Sequence, residues 1–359
     1  MIPVTRTFLP PLDEYMAQVQ RAYNNGWITN RGELVLELEE KLKGYLKVPY
    51  LTATTNGTLP IQIAIKALEL KGEIITTPFS YVATTASIVW ENCKPIFVDI
   101  HPDYLTIDET KIEQAITSNT TAILATHVFG NPCDVMAIDA IAKKYNLKVI
   151  YDAAHCFGVK YLGKSILNYG NVSTCSFHAT KLFHTGEGGC WVTQDEELQN
   201  NLFYHHNFGH SSQIDFYGLG INAKMSELQA AMGLAVLPHI ETILNVRKRV
   251  VDYYDTLLDF SNLQKIKIRE ETDWNYSYYP ILFESEKILL KTQKKLNANN
   301  IFPRRYFYPS LNRLPYLLYE PILVSENVAA RVMCLPLYAD LHQDEISRIV
   351  DIISDNVNN

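Results

Sequence analysis

The sequence predicts an α/β protein: a large domain built on a mostly parallel sheet, then a smaller α+β C-terminal domain. Short apolar runs alternate with segments of helical periodicity from about residue 12 to about residue 195. Strands that alternate with helices form a parallel sheet covered on both faces. Beyond residue 196 that alternation stops. A chain of 359 residues also exceeds what one small core organises, so two domains are expected, 1–240 (including the N-terminal segment) and 241–359.

Apolar spacing predicts helices over 12–23 and 33–45, then a short strand over 50–53. A helix follows over 59–70, with Pro60 in the first turn, where proline is tolerated. Strands are expected over 73–76, 95–98, 122–125 and 148–151, with helices over 81–91, 107–116 and 135–145 between them. Two more strands cover 174–177 and 189–193. A long helical stretch over 225–257 is placed to join the domains. In the C-terminal part, 263–268 and 277–283 read as strands, and 288–298, 328–333 and 344–353 as helices.

Composition narrows the function. The net charge of -7 gives no general attraction to nucleic acid or anionic membrane. No apolar run reaches the ~20 residues of a transmembrane helix. The first residues lack the basic-then-apolar layout of a signal peptide, and the six scattered cysteines form no Cys-x-x-Cys pair. A cytoplasmic protein with reduced, mostly buried thiols is expected.

Chemistry-bearing residues recur at the ends of the expected strands. Thr54-Thr55-Asn56-Gly57-Thr58 follows a strand and opens a helix, a place where backbone N–H groups and a hydroxyl suit a phosphate. It reads equally as a plain turn with an N-cap threonine. Phe79-Ser80-Tyr81 puts aromatics near a strand's carboxyl end, where they stack on a flat ligand or pack in the core. Asp152 follows the strand 148–151 and suits a pyridinium nitrogen, or caps the next turn. His155 sits beside such a ring or is a hydrogen-bonded, partly buried histidine. Ser176 suits the same phosphate. Lys181 precedes a Gly186-Glu-Gly-Gly189 turn and can form a Schiff base, although a loop lysine is more often solvated. A Schiff-base lysine and a ring-nitrogen aspartate are the two groups pyridoxal phosphate (PLP) chemistry needs most.

These motifs, with Gly26-Trp-Ile-Thr-Asn30, Gly220-Ile-Asn222-Ala-Lys-Met225 and Cys334-Leu-Pro-Leu-Tyr338, resemble the DegT/DnrJ/EryC1/StrS sugar aminotransferases over nearly the whole chain. The resemblance implies PLP-dependent transferase fold type I, like aspartate aminotransferase, in a homodimer. It implies pyridoxal 5'-phosphate as cofactor, L-glutamate as amino donor and a nucleotide-linked keto-sugar as acceptor. By position, Lys181 matches the Schiff-base lysine, Asp152 the ring-nitrogen partner and Tyr81 the stacked aromatic. Gly57, Thr58 and Ser176 match phosphate ligands. Asn222 resembles a phosphate ligand from the neighbouring subunit. Expected substrate contacts are Trp27, Phe79, Lys224, Arg304, Tyr306 and Tyr308, although 304–308 also reads as a solvated basic strand end. His155 and the segments around 220–232 and 303–309 are similar to the subgroup that aminates C4 of dTDP-4-keto-6-deoxy-D-glucose for bacterial surface polysaccharide.

The pattern departs from the family at Leu59-Pro60, Tyr81 and Ala223-Lys224. Rival readings fare worse. A dehydratase on this fold has histidine in place of Lys181. A NAD-dependent dehydrogenase needs a G-x-G-x-x-G that is absent. A non-catalytic regulator would be expected to lose Lys181 or Asp152. No metal is expected, since His205, His206 and His210 suit a polar helix end.

Overall fold

The computed structural model describes residues 1–357. Seven strands form the main sheet: β1 (Tyr50–Thr54), β2 (Glu73–Thr76), β3 (Lys94–Phe97), β4 (Thr120–Thr126), β5 (Lys148–Asp152), β6 (Val172–Ser176) and β7 (Gly189–Thr193). Their spatial order is β1-β7-β6-β5-β4-β2-β3. Only β7 runs against its neighbours, pairing antiparallel with β1 and β6; every other pairing is parallel. The sheet is therefore mostly parallel, as the alternation predicts.

Side chains along β4 show why both faces are covered. Ala122 and Leu124 join the core cluster containing Ile61, Ile65 and Ile88, while Ile123 and Ala125 join the one containing Leu38, Leu42 and Ile138. Alternate residues of a strand point to opposite faces, and both faces are dry here. The first cluster is supplied by α3 (Leu59–Ala67), α4 (Val82–Trp90) and α6 (Glu196–His206). The second is supplied by α2 (Glu33–Leu46), α5 (Val135–Tyr145) and α7 (Glu227–Val236), with Ala22 from α1 (Leu12–Asn25).

A small antiparallel sheet, β8 (Leu263–Lys265), β9 (Pro280–Phe283) and β10 (Val332–Cys334), lies in the C-terminal part. It packs with α8 (Ile240–Leu257), α9 (Glu286–Ala298) and α11 (Gln343–Val357) around a separate core. Helix α8 passes between the cores: Ile240 and Ile243 belong to the sheet's, Val250 and Tyr254 to the C-terminal one. The chain start also joins the C-terminal core, because Ile2–Pro3 pairs with Ile301–Phe302.

Several elements differ from expectation. Residues 107–116 form two 3-10 turns, Glu109–Lys111 and Glu113–Ala115, because the Asp108 carboxylate takes both the amide and the hydroxyl of Thr110. Pro238, in the turn Leu237–His239, divides the predicted 225–257 helix into α7 and α8. The expected 328–333 helix ends at Arg331 in α10 (Leu323–Arg331), since Val332 and Met333 pair with Leu282 and Ile281. Helix α6 has no predicted range, although His205 and His206, which end it, read as suiting a polar helix end. Asp195 capping the Glu197 and Leu198 amides is the signal that marks it.

Candidate active site

Strands β2, β4, β5 and β6 end at a common edge, and a cavity of about 220 Å³ opens beyond them. Ligand clefts of open α/β sheets lie at this edge. Asp152, His155, Ser176, Lys181, Gly57, Thr58, Tyr81, Arg304 and Tyr306 all line it. Residues from five separate stretches of sequence therefore converge on one space.

Asp152 ends β5 and is 5% exposed. Its Oδ2 accepts from the Thr84 hydroxyl at 2.6 Å, and its Oδ1 from the Ala154 amide at 3.1 Å. The second bond is the turn-capping contact the sequence allows. The first begins a chain of hydroxyls. Ser80 Oγ lies 2.8 Å from Thr84 Oγ1 and 3.0 Å from Thr126 Oγ1. An ionised carboxylate only accepts, so Thr84 donates to it, Ser80 to Thr84, and Thr126 to Ser80. Burial raises the Asp152 pKa, while Thr84, Ala154 and the Lys181 charge act the other way. A cationic ring nitrogen is the partner such a carboxylate lacks.

Lys181 stands after β6 in the loop closed by the Ala179 amide on the Gly186 carbonyl. Its Nζ donates to the Tyr278 hydroxyl at 3.1 Å. Burial lowers its pKa against the opposing effects of Tyr306, Asp152, Cys175 and Tyr81. The lysine is therefore partly buried and hydrogen-bonded rather than solvated, and its amine loses its proton more readily. His155 is held neutral by burial and by the Lys181 charge. The Phe129 amide donates to His155 Nδ1 at 3.1 Å, which leaves the ring proton on Nε2.

The phosphate-type turn is built by Asn56. Its Oδ1 accepts from the Thr58 and Leu59 amides, both at 2.9 Å, so asparagine and not threonine caps α3. The Thr58 side chain makes no capping bond. Gly57 lies so close to Ser176 that a Cβ on it would come within 2.7 Å of the serine Cβ. Glycine is required there for close approach. Two hydroxyls, Thr58 and Ser176, thus meet beside the start of a helix, a suitable place for an anion. Tyr81 is 53% exposed at the first turn of α4, with its ring free to cover a flat ligand. An amine, a buried carboxylate, a hydroxyl-lined helix start and an aromatic face are what PLP requires, and the residues fit it.

Five expected site residues do not line this cavity. Phe79 is fully buried and packs edge-on against Phe129 and Phe307, so it builds the core beneath the site. Trp27 is half exposed, outside the cavity. Tyr308 points away, with the Arg305 guanidinium 3.5 Å over its ring. Lys224 donates to Asn222 Oδ1 at 2.8 Å, and neither lines this cavity. Arg305 is committed to Glu286 and the Ala330 carbonyl.

Sequence reasoning does not single out Tyr278 or Thr84, and it includes Phe307 and Glu187 only as members of the 304–308 segment and the Gly186–Gly189 turn. Tyr278 lies 97 residues from Lys181, and only folding joins them. Thr84 had a signal: it stands four residues after Ser80, one helical turn away. Among the described residues no three His, Cys, Asp or Glu side chains are grouped as a metal site.

Comparisons with known proteins identify the family. The profile of the DegT/DnrJ/EryC1/StrS aminotransferase family matches residues 12–354. A dTDP-4-amino-4,6-dideoxy-D-glucose transaminase of Shigella dysenteriae is 42% identical over 357 residues, 98% of this chain and 97% of that one. The crystal structure of DesI in the presence of its TDP-sugar product superposes with a TM-score of 0.95 at 30% identity, covering 100% of this chain and 93% of that one. NtdA of Bacillus subtilis, solved with bound cofactor PMP, gives 0.89 at 27% identity, over 97% and 82%. The chain belongs to the DegT/DnrJ/EryC1/StrS aminotransferase family, and its cofactor is PLP.

Proposed function

We propose that this enzyme moves an amino group from L-glutamate to C4 of dTDP-4-keto-6-deoxy-D-glucose, giving dTDP-4-amino-4,6-dideoxy-D-glucose. The product would serve bacterial O-antigen or other surface polysaccharide synthesis in the cytoplasm. The observation that carries the chemistry is one cavity holding the Lys181 amine, the buried Asp152 carboxylate and the Gly57–Ser176 cradle. The choice of sugar rests on His155 and on the likeness to the Shigella transaminase.

Bound PLP supplies an electron sink for charge developing at the carbon next to the transferred nitrogen. Asp152 holds a proton at the ring nitrogen, and Thr84 keeps the carboxylate aimed there. Tyr81 covers the ring. Gly57, Thr58 and Ser176 hold the phosphate. Lys181 Nζ takes the proton from the donor's α-carbon, a task suited to a lysine whose proton affinity burial has lowered. His155 stays uncharged beside it. Arg304 and Tyr306 face the cavity for the acceptor, and a guanidinium suits its diphosphate. Donor and acceptor use one site in turn, which predicts ping-pong kinetics.

The purified enzyme, given glutamate and a panel of nucleotide keto-sugars, is expected to aminate the dTDP-4-keto-6-deoxy sugar fastest. Mass spectrometry and NMR of the product locate the nitrogen. Amination at C3, or no preference for this acceptor, overturns the substrate reading.

The active unit is proposed to be a homodimer, with Asn222 reaching the neighbour's phosphate. Asn222 is exposed and lies outside its own chain's cavity, which supports this. Lys181→Ala and Asn222→Asp, each inactive, should recover part of the wild-type rate when refolded together. A mixed dimer then has one site with both defects and one with neither. No recovery would mean that Asn222 serves its own subunit.

A further inference from the structure

Tyr278 reaches Lys181 from the C-terminal part of the chain, 97 residues on. It closes a segment, residues 274–278, that leads into β9. Side chains of this segment clamp the turns that follow β4 and β5. Trp274 Nε1 donates to the Phe129 carbonyl at 2.9 Å. Asn275 Nδ2 donates to the His155 and Phe157 carbonyls, both at 2.9 Å. Ser277 Oγ donates to the His155 carbonyl at 2.8 Å. The segment lies so close on these turns that a Cβ on Gly130 would meet Asn275 Oδ1 at 2.7 Å. It is a strap across the base of the site.

Arg247 holds the strap from its other side. This arginine of α8 is 6% exposed. Its Nε donates to the Tyr276 carbonyl at 2.9 Å and its Nη2 to the Ser277 carbonyl at 2.5 Å. Among the described residues no carboxylate pairs with it, and burial lowers its pKa to about 10. Burying a guanidinium costs desolvation, which its hydrogen bonds to these two carbonyls offset in part. The residue that follows them is Tyr278.

We propose that Tyr278 is a further catalytic residue, holding the Lys181 amine during proton transfer, and that Arg247 positions it through the 274–278 strap. The proposal rests on the reading of Lys181 as the reacting amine. Burial pushes the Tyr278 phenol above its ordinary range, so it stays un-ionised. A neutral hydroxyl accepts from a protonated Nζ and donates to an unprotonated one. It therefore keeps the amine in place in both states, and as an acceptor it stabilises the charged state. Asp152 from β5, Cys175 from β6, Tyr81 at α4, Tyr306 and His155 also face the amine. Of these, Tyr306 is itself raised, first by burial and then by the neighbouring Tyr278 phenol.

The test compares Tyr278→Phe, Arg247→Met and the double variant as purified holoenzymes. Two quantities are read: the pH midpoint of the bound cofactor's absorbance change, and the single-turnover rate with glutamate. Tyr278→Phe should lower the midpoint by about one pH unit, since a hydrogen bond to the charged form is lost, and slow the half-reaction about tenfold or more. Arg247→Met should reproduce that shift, and the double variant should add nothing to it, as residues acting along one route are not additive. Should Arg247→Met not fold, Arg247→Lys, which keeps one donor, takes its place with a smaller shift in the same direction. A purely structural Arg247 would lower the melting temperature and leave the midpoint alone. An unmoved midpoint in Tyr278→Phe, or additive shifts in the double variant, overturns the proposal. Borohydride fixation of the cofactor on a lysine other than Lys181 would instead overturn the underlying reading of the site.

Discussion

Lys181→Ala is expected to lose turnover by on the order of 10⁴-fold or more, the upper range for removing a general base that also carries the substrate. No other lysine lines the cavity. The cradle of Gly57, Thr58 and Ser176 does not depend on the amine, so the variant should still bind pyridoxamine phosphate. Its fold should not suffer. Burial lowers the proton affinity of Lys181, so the unfolded chain binds that proton more tightly than the folded one. The ammonium then opposes folding at neutral pH, and the penalty fades as pH rises through the folded-state pKa. Cofactor-free Lys181→Ala should accordingly melt no lower than cofactor-free wild type at pH 7. In the wild type, borohydride should fix the cofactor on the peptide containing Lys181. Trapping on another lysine, or residual turnover near wild type, rejects the assignment.

Asp152→Asn is expected to fold, keep cofactor and lose about 10²–10³-fold in rate, the usual cost of removing one preorganised electrostatic contact. The present side chain only accepts: from Thr84 at Oδ2 and from Ala154 at Oδ1. An amide can satisfy one of these with its oxygen, and its nitrogen then faces the other. It also carries no charge to hold a proton at the ring nitrogen. Steady-state kinetics with glutamate, alongside the absorbance of bound cofactor, checks both halves of the expectation. Near wild-type turnover would leave Asp152 as the turn-capping residue that its bond to Ala154 also describes.

The sheet, its mostly parallel character and the strand-end positions of the candidate site residues are legible in the sequence. Those features are local. A strand ending in Asp152, a glycine at position 57 before a helix and a lysine in a glycine-bounded loop each show in a few consecutive residues. Strand ends of a parallel sheet share one edge, so local order alone brings them near each other.

Features that depend on distant partners emerge only in the fold. Pro238 broke a helix whose apolar spacing was continuous, and Val332 left a helix because a strand edge was available to pair with it. Phe79 went to the core and Tyr81, two residues on, to the cavity, a distinction set by the aromatic neighbours Phe129 and Phe307. Thr58 left its capping duty to Asn56. Tyr278 meets Lys181 only in the fold, where Arg247 and the strap residues bind the segment that carries it. Those hydrogen bonds join residues 97, 29 and 122 positions apart. Neither periodicity nor spacing records them, because the chain between them is free to take any path that buries its apolar side chains.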